Sequence, residues 1–282
     1  MMTAHVLPLM SYIDARSLAD YLLKRRNPDG GFCHYSLDES NLNDTAYAIL
    51  ILDMLGRLPQ DDRTVEYVRS FQRADGSYNS PYSAWCALKA LKIMDSEPKY
   101  GLEEYVRQLL RKHTIPEEVY IERLSIFESS FYLAGILELI GRPGLCDDIA
   151  AAVLEYRMPD GSFGRSDPGI ISTYHALSIL RSAGKPMGEF GDSADFIAAR
   201  AVGSGGFTKK PLAGLAFMDE TYYALMTLEM LGKRPDHVRE TIGFVVDCQN
   251  ENGGFRRARA SGISGFDTSY YAVQSLRTLI KS

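Results

Sequence analysis

Carboxylates and aromatic rings recur one helical turn apart in this chain. Three acidic residues near the starts of apolar segments are each followed three positions later by an aromatic residue: Glu128 and Phe131, Asp219 and Tyr222, Asp267 and Tyr270. Residues with this spacing share one face of a helix. A carboxyl group can transfer a proton, and a ring face can stabilise a cation. We therefore take Glu128, Asp219 and Asp267 as candidate catalytic residues.

The aromatic position recurs in five of six apolar segments, and Ala46 stands there in the first one. The five aromatic residues are Trp85, Phe131, Tyr174, Tyr222 and Tyr270. If this face looks inward, the rings line a cavity suited to an apolar ligand, with carboxylates at one rim. The alternative is that the rings only fill a core. We favour a cavity because core packing does not explain acids placed one turn before the rings.

Two basic stretches precede the last two apolar segments and could bind an anion. They supply Lys209, Lys210, Arg256, Arg257 and Arg259. The repeat described below predicts that these groups lie beside helix N-termini, at the same rim as Asp219 and Asp267. Such a cluster suits a diphosphate. The alternative is ordinary solvated surface charge.

These segments belong to a repeat that is marked by glycine-aromatic turns. The turns end at Phe32, Tyr78, Phe163, Phe207 and Phe255, with one worn copy near Tyr120, and successive aromatics are 42 to 48 residues apart. A regular period of this length is typical of repeat architectures. Each period predicts an amphipathic outer helix followed by a more apolar inner helix.

The predicted outer helices cover residues 14–26, 63–73, 102–113, 145–157, 193–200 and 235–249, and the inner helices cover 44–55, 82–94, 128–140, 171–183, 219–231 and 267–280. Short polar residues near the inner helix starts suit N-terminal caps: Asp44, Ser83, Ser129, Ser172, Asp219 and Asp267. Gly56, Gly141, Gly184 and Gly232 suit helix ends. Six hairpins predict an all-α fold, an α6/α6 toroid (a closed α/α barrel), as a single domain over residues 1–282. An open superhelix is the alternative, but neither terminal inner helix is polar enough for a cap.

Composition excludes several classes of protein. The formal net charge of -5 argues against nucleic acid as a partner. The four cysteines have neither metal-site spacing nor a dense framework, which is typical of reduced thiols in the cytoplasm. No leader and no apolar run of membrane-spanning length is recognisable. We therefore expect a cytoplasmic protein with no transmembrane segment.

The turns PDGGF, QRADGSY and QNENGGF, with the helices DETYYALMTLEMLG and FDTSYYAVQSL, resemble the repeats of protein prenyltransferase β subunits. They resemble squalene and terpene cyclases more loosely. The resemblance covers essentially the whole chain. It implies an α/α toroid with an isoprenoid-binding lumen and a prenyl diphosphate as ligand. It also implies that a separate helical partner subunit is possible.

The metal ligands of the prenyltransferases are only partly matched. Asp219 stands where that family has a zinc-ligand aspartate, but Thr221 replaces the cysteine ligand and the stretch 267–270 lacks the histidine. The missing soft ligands disfavour zinc. Two alternatives remain: Mg²⁺ bound by the oxygen ligands Asp219, Glu220, Asp267 and Glu128, or a metal bound by Cys33 and His34.

The cyclase branch differs at its acid. Class II terpene cyclases protonate their substrate with the middle aspartate of an Asp-x-Asp-Asp-Thr-Ala string. This chain reads NLNDTA over residues 41–46, so Asn43 occupies the place of the acid. An amide cannot donate that proton. Asp44 keeps a carboxyl group but also suits helix capping.

We predict an isoprenoid-diphosphate-binding, prenyltransferase-like protein that transfers a prenyl group. The alternatives are a class II-like terpene cyclase, a non-catalytic isoprenoid- or partner-binding toroid without the zinc site, and a glycosidase that uses paired carboxylates. His175, on a predicted inner helix, is expected to be a hydrogen-bonded core residue.

Overall fold

A computed structural model describes residues 11–35, 37–59, 61–116, 125–165, 168–260 and 262–281. These residues form twelve α-helices. The outer helices are α1 (Ala15–Leu23), α3 (Asp62–Arg69), α5 (Glu103–Lys112), α7 (Asp147–Leu154), α9 (Gly191–Ala198) and α11 (Val238–Asp247). The inner helices are α2 (Leu42–Met54), α4 (Pro81–Ile93), α6 (Glu128–Leu139), α8 (Ile170–Ser182), α10 (Met218–Met230) and α12 (Phe266–Lys281). Tyr120, the aromatic of the worn repeat, lies outside the described residues.

The chain divides into two compact units. Unit 1 comprises Met1–Tyr105 and Ile242–Ser282, and unit 2 comprises Val106–Thr241. In unit 1, α2 packs against α4 and α12. In unit 2, α8 packs against α6 and α10. The apolar inner helices therefore form the core of each unit.

The predicted helices are confirmed, with the inner ones beginning within two residues of their expected starts. The predicted caps need a correction. The side chains of Asn41 and Ser80 cap α2 and α4 by accepting hydrogen bonds from the backbone N–H groups of Asp44 and Ser83. Asp44 and Ser83 are therefore not the caps, because a capping side chain must precede the helix to reach the free N–H groups of its first turn.

The helix-ending glycines are confirmed by their backbone conformation. Gly56, Gly141, Gly184 and Gly232 all have a φ between +64° and +72°, the left-handed region that closes a helix. Space is available around each of them, since a Cβ would meet no atom within 4 Å.

The turn glycines have a different role, which is close contact between repeats. Gly205 has a φ of +103°, and a Cβ there would collide with the backbone of Glu240 and Thr241 on the following outer helix. Gly253, in the last turn, makes the same contact with Ser17 and Leu18 on α1. Within unit 1, the last glycine-aromatic turn thus packs on the first outer helix, α1, in the same way that an earlier turn packs on the outer helix that follows it.

In the described part of the chain, no helix is both long and apolar enough to cross a membrane. All four cysteines, Cys33, Cys86, Cys146 and Cys248, are buried and free of disulfide bonds.

Candidate functional site

A row of aromatic rings crosses the three inner helices of unit 2. The ring centroid of Phe131 on α6 lies 5.7 Å from that of Tyr174 on α8, and Tyr174 lies 6.4 Å from Tyr222 on α10. Tyr223 joins the row at 5.1 Å from Tyr174. We call Phe131, Tyr174, Tyr222 and Tyr223 the aromatic row. The structure brings together three of the five residues that were predicted to line a cavity.

Three members of the aromatic row, Phe131, Tyr174 and Tyr223, are less buried than the aromatic core, whereas Tyr222 is 8% exposed and counts as buried. The turn phenylalanines Phe163 and Phe207 are 0% and 1% exposed, as expected of packing residues. Phe131 and Tyr174, by contrast, are only half-buried, although they lie on inner helices. Phe131 and Tyr174 are therefore partly accessible, although the His175 ring stacks on one face of Phe131 at 4.3 Å.

Unit 1 contains a smaller aromatic group. The ring of Tyr47 on α2 lies 5.4 Å from Tyr270 and 6.2 Å from Tyr271 on α12. Trp85, the remaining predicted lining residue, is half-buried on α4, and its ring is covered by the Lys89 ammonium group at 4.4 Å. The first inner helix thus contributes Tyr47, one position after the expected Ala46.

Sequence reasoning missed Tyr47, Tyr223 and Tyr271 because it followed one residue per helix. The signal was present as adjacent ring doublets, since Tyr222-Tyr223 and Tyr270-Tyr271 occupy equivalent positions. Neighbouring residues on a helix point about 100° apart, so both members of a doublet can border the same groove between helices.

Glu128 is a half-buried carboxyl group at the first position of α6, one turn before Phe131. Burial raises the pKa of this carboxyl, while a hydrogen bond from the Tyr132 hydroxyl to Glu128 Oε1, 3.4 Å long, acts in the opposite direction. A raised pKa keeps the acid protonated at higher pH than an ordinary glutamate. Among the candidate carboxyl groups, Glu128 thus combines an upward pKa shift with a place on the helix that carries Phe131.

The other two candidate carboxylates differ in environment. Asp219 and its neighbour Glu220 are buried in the first turn of α10. Asp267 is exposed, and its Oδ1 accepts hydrogen bonds from the backbone and hydroxyl of Thr268 at the start of α12. Asp267 therefore has a local helix-start role in unit 1.

Thr221, which replaces the family cysteine, has a structural function. Its Oγ1 accepts a hydrogen bond from the Phe207 N–H (2.9 Å) and donates one to the Phe217 carbonyl (2.7 Å). We call this pair of bonds the hydroxyl latch. The same latch joins Phe32 to Thr45, Phe163 to Thr173 and Phe255 to Ser269. In these four repeats the latch fixes the glycine-aromatic turn onto the first turn of its inner helix.

Among the described residues, no cluster of three or more His, Cys, Asp or Glu side chains is arranged to hold a metal ion. A metal at Asp219 remains a prediction.

The two basic stretches fall in different units and are described separately. In unit 2, Lys209 is half-buried and Lys210 is exposed, in the loop before α10. In unit 1, the Arg256 guanidinium donates to the carbonyls of Ala258, Arg259 and Asp247 and to Asn250 Oδ1. Arg259 forms an ion pair with Asp247 at 2.9 Å, and Arg257 is half-buried. Internal hydrogen bonds thus account for much of the donor capacity of Arg256.

His175 matches its predicted core role. It is 2% exposed, its Nδ1 lies 3.1 Å from Ser125 Oγ, and its ring stacks on Phe131 at 4.3 Å. Burial lowers the pKa of His175 to about 3. The imidazole is therefore neutral at physiological pH, and it packs as a buried ring against Phe131 of the aromatic row.

The NLNDTA string forms the start of α2 in unit 1. Asn43 is half-buried there, whereas Asp44 is buried and its Oδ2 lies 2.8 Å from His34 Nδ1. The sequence paired His34 with Cys33 as possible metal ligands. The structure instead pairs His34 with Asp44, ten residues away across the turn.

The chain belongs to the family described as the prenyltransferase alpha-alpha toroid domain, whose model matches residues 2–94 and 101–279. This membership confirms the predicted all-α toroid fold class, and it also confirms the resemblance to prenyltransferases and terpene cyclases.

One curated relative is the drimenyl diphosphate synthase of Streptomyces showdoensis, 25% identical over 224 residues. The match covers 69% of this chain and 41% of the relative, so the chain spans less than half of that protein.

Solved structures of similar fold include the type II terpene cyclase MstE from Scytonema. A variant of it in complex with geranylgeranyl dihydroxybenzoate (substrate) aligns with a TM-score of 0.62 and 13% identity, over 100% of this chain and 99% of that one. A protein from Actinoplanes aligns with a TM-score of 0.63 and 17% identity, over 96% and 99% of the two chains. At these identities the likeness shows the fold alone.

Proposed function

We propose that this chain binds a polyprenyl substrate against the aromatic row and begins its cyclisation by proton transfer from Glu128. The observation that carries the proposal is the position of Glu128, a carboxyl with a raised pKa placed one helical turn before the half-buried Phe131 of the aromatic row. Protonation of an alkene requires a carboxyl group that can donate its proton beside the hydrocarbon, and burial shifts the pKa of Glu128 in the direction that favours its protonated form.

In this mechanism the Glu128 carboxyl adds its proton to a terminal double bond of the substrate. The resulting carbocation is attacked by the next double bond, which closes a ring and moves the positive charge along the chain. The faces of Phe131, Tyr174 and Tyr222 stabilise the charge as it moves. Loss of a proton from the final cation ends the reaction, and Glu128 is reprotonated. The Tyr132 hydroxyl orients the Glu128 carboxyl.

Two similarities support a terpene-cyclising role. The curated relative is named for the synthesis of drimenyl diphosphate, and MstE was crystallised with a geranylgeranyl substrate. Both proteins act on isoprenoid compounds, which matches an apolar aromatic surface. The donor proposed for this chain replaces the acid that Asn43 cannot supply.

The test is product analysis with geranylgeranyl diphosphate, followed by dephosphorylation and gas chromatography with mass spectrometry. We expect a cyclic product from the natural protein. Glu128→Gln should lower its yield at least about 100-fold, the usual scale of general acid catalysis. Glu138→Gln is the matched control, since Glu138 is an exposed glutamate on the same helix.

Full activity of the Glu128→Gln protein would refute Glu128 as the acid. Tight binding of geranylgeranyl diphosphate without turnover would favour the non-catalytic alternative.

Prenyl transfer is the second candidate function, and it is favoured by the position of Lys209 and Lys210. These residues lie in a loop that leads into the carboxylate-bearing start of α10, where cations could hold a departing diphosphate. Pyrophosphate release from geranylgeranyl diphosphate separates the two candidates, because protonation of an alkene leaves the diphosphate attached. Release that is lost in Lys210→Ala but kept in Glu128→Gln would support transfer over cyclisation.

The proposal also includes three untested expectations: a single domain over residues 1–282, a cytoplasmic location and a separate helical partner subunit. Purification from the native source with light scattering tests the partner, since a partner would raise the measured mass above the 31.4 kDa of the chain.

A further inference from the structure

A cleft with a volume of about 690 Å³ lies in unit 1, between the turns of the first and last repeats. Its walls include Arg25, His34, Tyr35, Arg256 and Ile263. All of its lining residues belong to unit 1, whereas the aromatic row belongs to unit 2. The volume is in the usual range for a small-molecule site.

His34 is held rigidly in this cleft. Asp44 Oδ2 accepts hydrogen bonds from the His34 backbone N–H (3.0 Å) and pairs with His34 Nδ1 (2.8 Å). A third bond comes from Asn41 Nδ2 (2.7 Å) and fixes the carboxylate. Because Asp44 orients Nδ1, the Nε2 of His34 remains for a ligand.

Arg25 is held just as firmly beside His34. Its Nε donates to the His34 carbonyl (3.0 Å), its Nη1 donates to the Tyr21 carbonyl (3.2 Å), and its guanidinium lies 4.1 Å from the centre of the Tyr21 ring. Within the described residues these bonds use Nε and Nη1, so Nη2 remains for a ligand. A preorganised guanidinium suits phosphate oxygens better than a mobile one.

The remaining walls combine positive charge with exposed apolar surface. Arg256 adds a second cation, and Glu251 is the acidic residue of the lining. Tyr35 is 62% exposed and Ile263 is 72% exposed, although both are large apolar side chains. The Tyr35 ring lies 3.7 Å from the His34 ring, so the apolar surface adjoins the polar contacts.

We propose that this cleft binds a small phosphate ester with an aromatic body. Arg25 and His34 contact the phosphate oxygens, and Tyr35 and Ile263 cover the aromatic part. Asp44 acts as a positioning residue through His34. This proposal uses residues of unit 1 alone and does not depend on the proposed isoprenoid binding.

The test is calorimetric titration of the full chain with phenyl phosphate. We expect saturable binding that is at least about tenfold weaker in Arg25→Gln, the scale of one charge-assisted hydrogen bond. Arg16→Gln is the matched control, since Arg16 is an exposed arginine on α1, the helix that ends just before Arg25. Phenol and inorganic phosphate should each bind more weakly than phenyl phosphate.

Nuclear magnetic resonance of histidine-labelled protein gives a second readout that does not depend on Arg25. Phenyl phosphate should shift the His34 ring signals and leave those of His175 unchanged. His34→Asn should weaken binding, and thermal unfolding must show that the variants remain folded. No saturable binding, equal losses in Arg25→Gln and Arg16→Gln, or an unshifted His34 ring would overturn the proposal.

Discussion

Replacing the Thr221 hydroxyl should destabilise the protein, because that hydroxyl forms a hydroxyl latch in unit 2. Thr221→Val keeps the shape of the side chain but removes both latch bonds. The side chain is 0% exposed, so no water replaces the lost acceptor of the Phe207 N–H. The Phe217 carbonyl keeps a second bond, from the Thr221 backbone N–H, and is less affected.

The expected loss of stability follows from the Phe207 N–H group, which would be left without a hydrogen-bond acceptor. A buried N–H without an acceptor costs about 1–3 kcal/mol, and we expect Thr221→Val to lower the free energy of unfolding by that amount. Thr221→Ser keeps the hydroxyl and loses one methyl group, for which about 1 kcal/mol is expected.

Urea unfolding monitored by circular dichroism measures both variants, with unchanged m-values required for the comparison. A Thr221→Val protein with the same free energy of unfolding as the natural protein would refute this role of the hydroxyl, and so would a Thr221→Ser protein that loses as much stability as Thr221→Val.

Three further predictions concern packing and protonation. Gly205→Ala should lower the free energy of unfolding by at least about 2 kcal/mol more than Gly232→Ala, because both glycines have a positive φ but only Gly205 lies against the backbone of another helix. Urea unfolding measures the difference, and equal losses of stability would contradict the prediction. The free energy of unfolding should fall by up to about 5 kcal/mol as pH drops from 6.5 towards 3. The reason is that His175 binds a proton in the unfolded state but stays neutral when it is buried in the folded state. An equally steep loss in folded His175→Gln protein would exclude His175 as the cause. Glu128→Gln protein should be more stable than the natural protein near pH 7. A carboxyl group whose pKa is raised in the folded state destabilises the protein once pH rises through that pKa, and glutamine cannot ionise. A lower melting temperature of the variant would count against burial of this acid.

The helices could be predicted from the sequence because their causes are local. The glycine-aromatic period, the apolar inner segments and terminal glycines such as Gly56 each act within a few residues of their position. The inner helices accordingly begin where the pattern places them.

The hydroxyl latch could not be predicted in the same way. Thr221 was compared with a metal ligand of related proteins, although the same hydroxyl position recurs as Thr45, Thr173 and Ser269. Its partner, Phe207, lies fourteen residues earlier, and only the folded turn brings the two together.

Only the part of the candidate site that depends on local helical spacing could be predicted from the sequence. Phe131, Tyr174 and Tyr222 follow from helical spacing, and their rings are neighbours in the structure, while their lining of a cavity stays a prediction. The pairing of His34 with Asp44 depends on how the first turn closes over α2, and the sequence pattern contains no measure of that closure.

The most direct test of the isoprenoid-binding account is a crystal structure of the protein soaked with geranylgeranyl diphosphate. We expect electron density for the hydrocarbon chain in van der Waals contact, within about 4.5 Å, with the rings of Phe131, Tyr174 and Tyr222. A double bond should lie within reach of Glu128. Density for the chain elsewhere, with the aromatic row uncovered, would contradict the account.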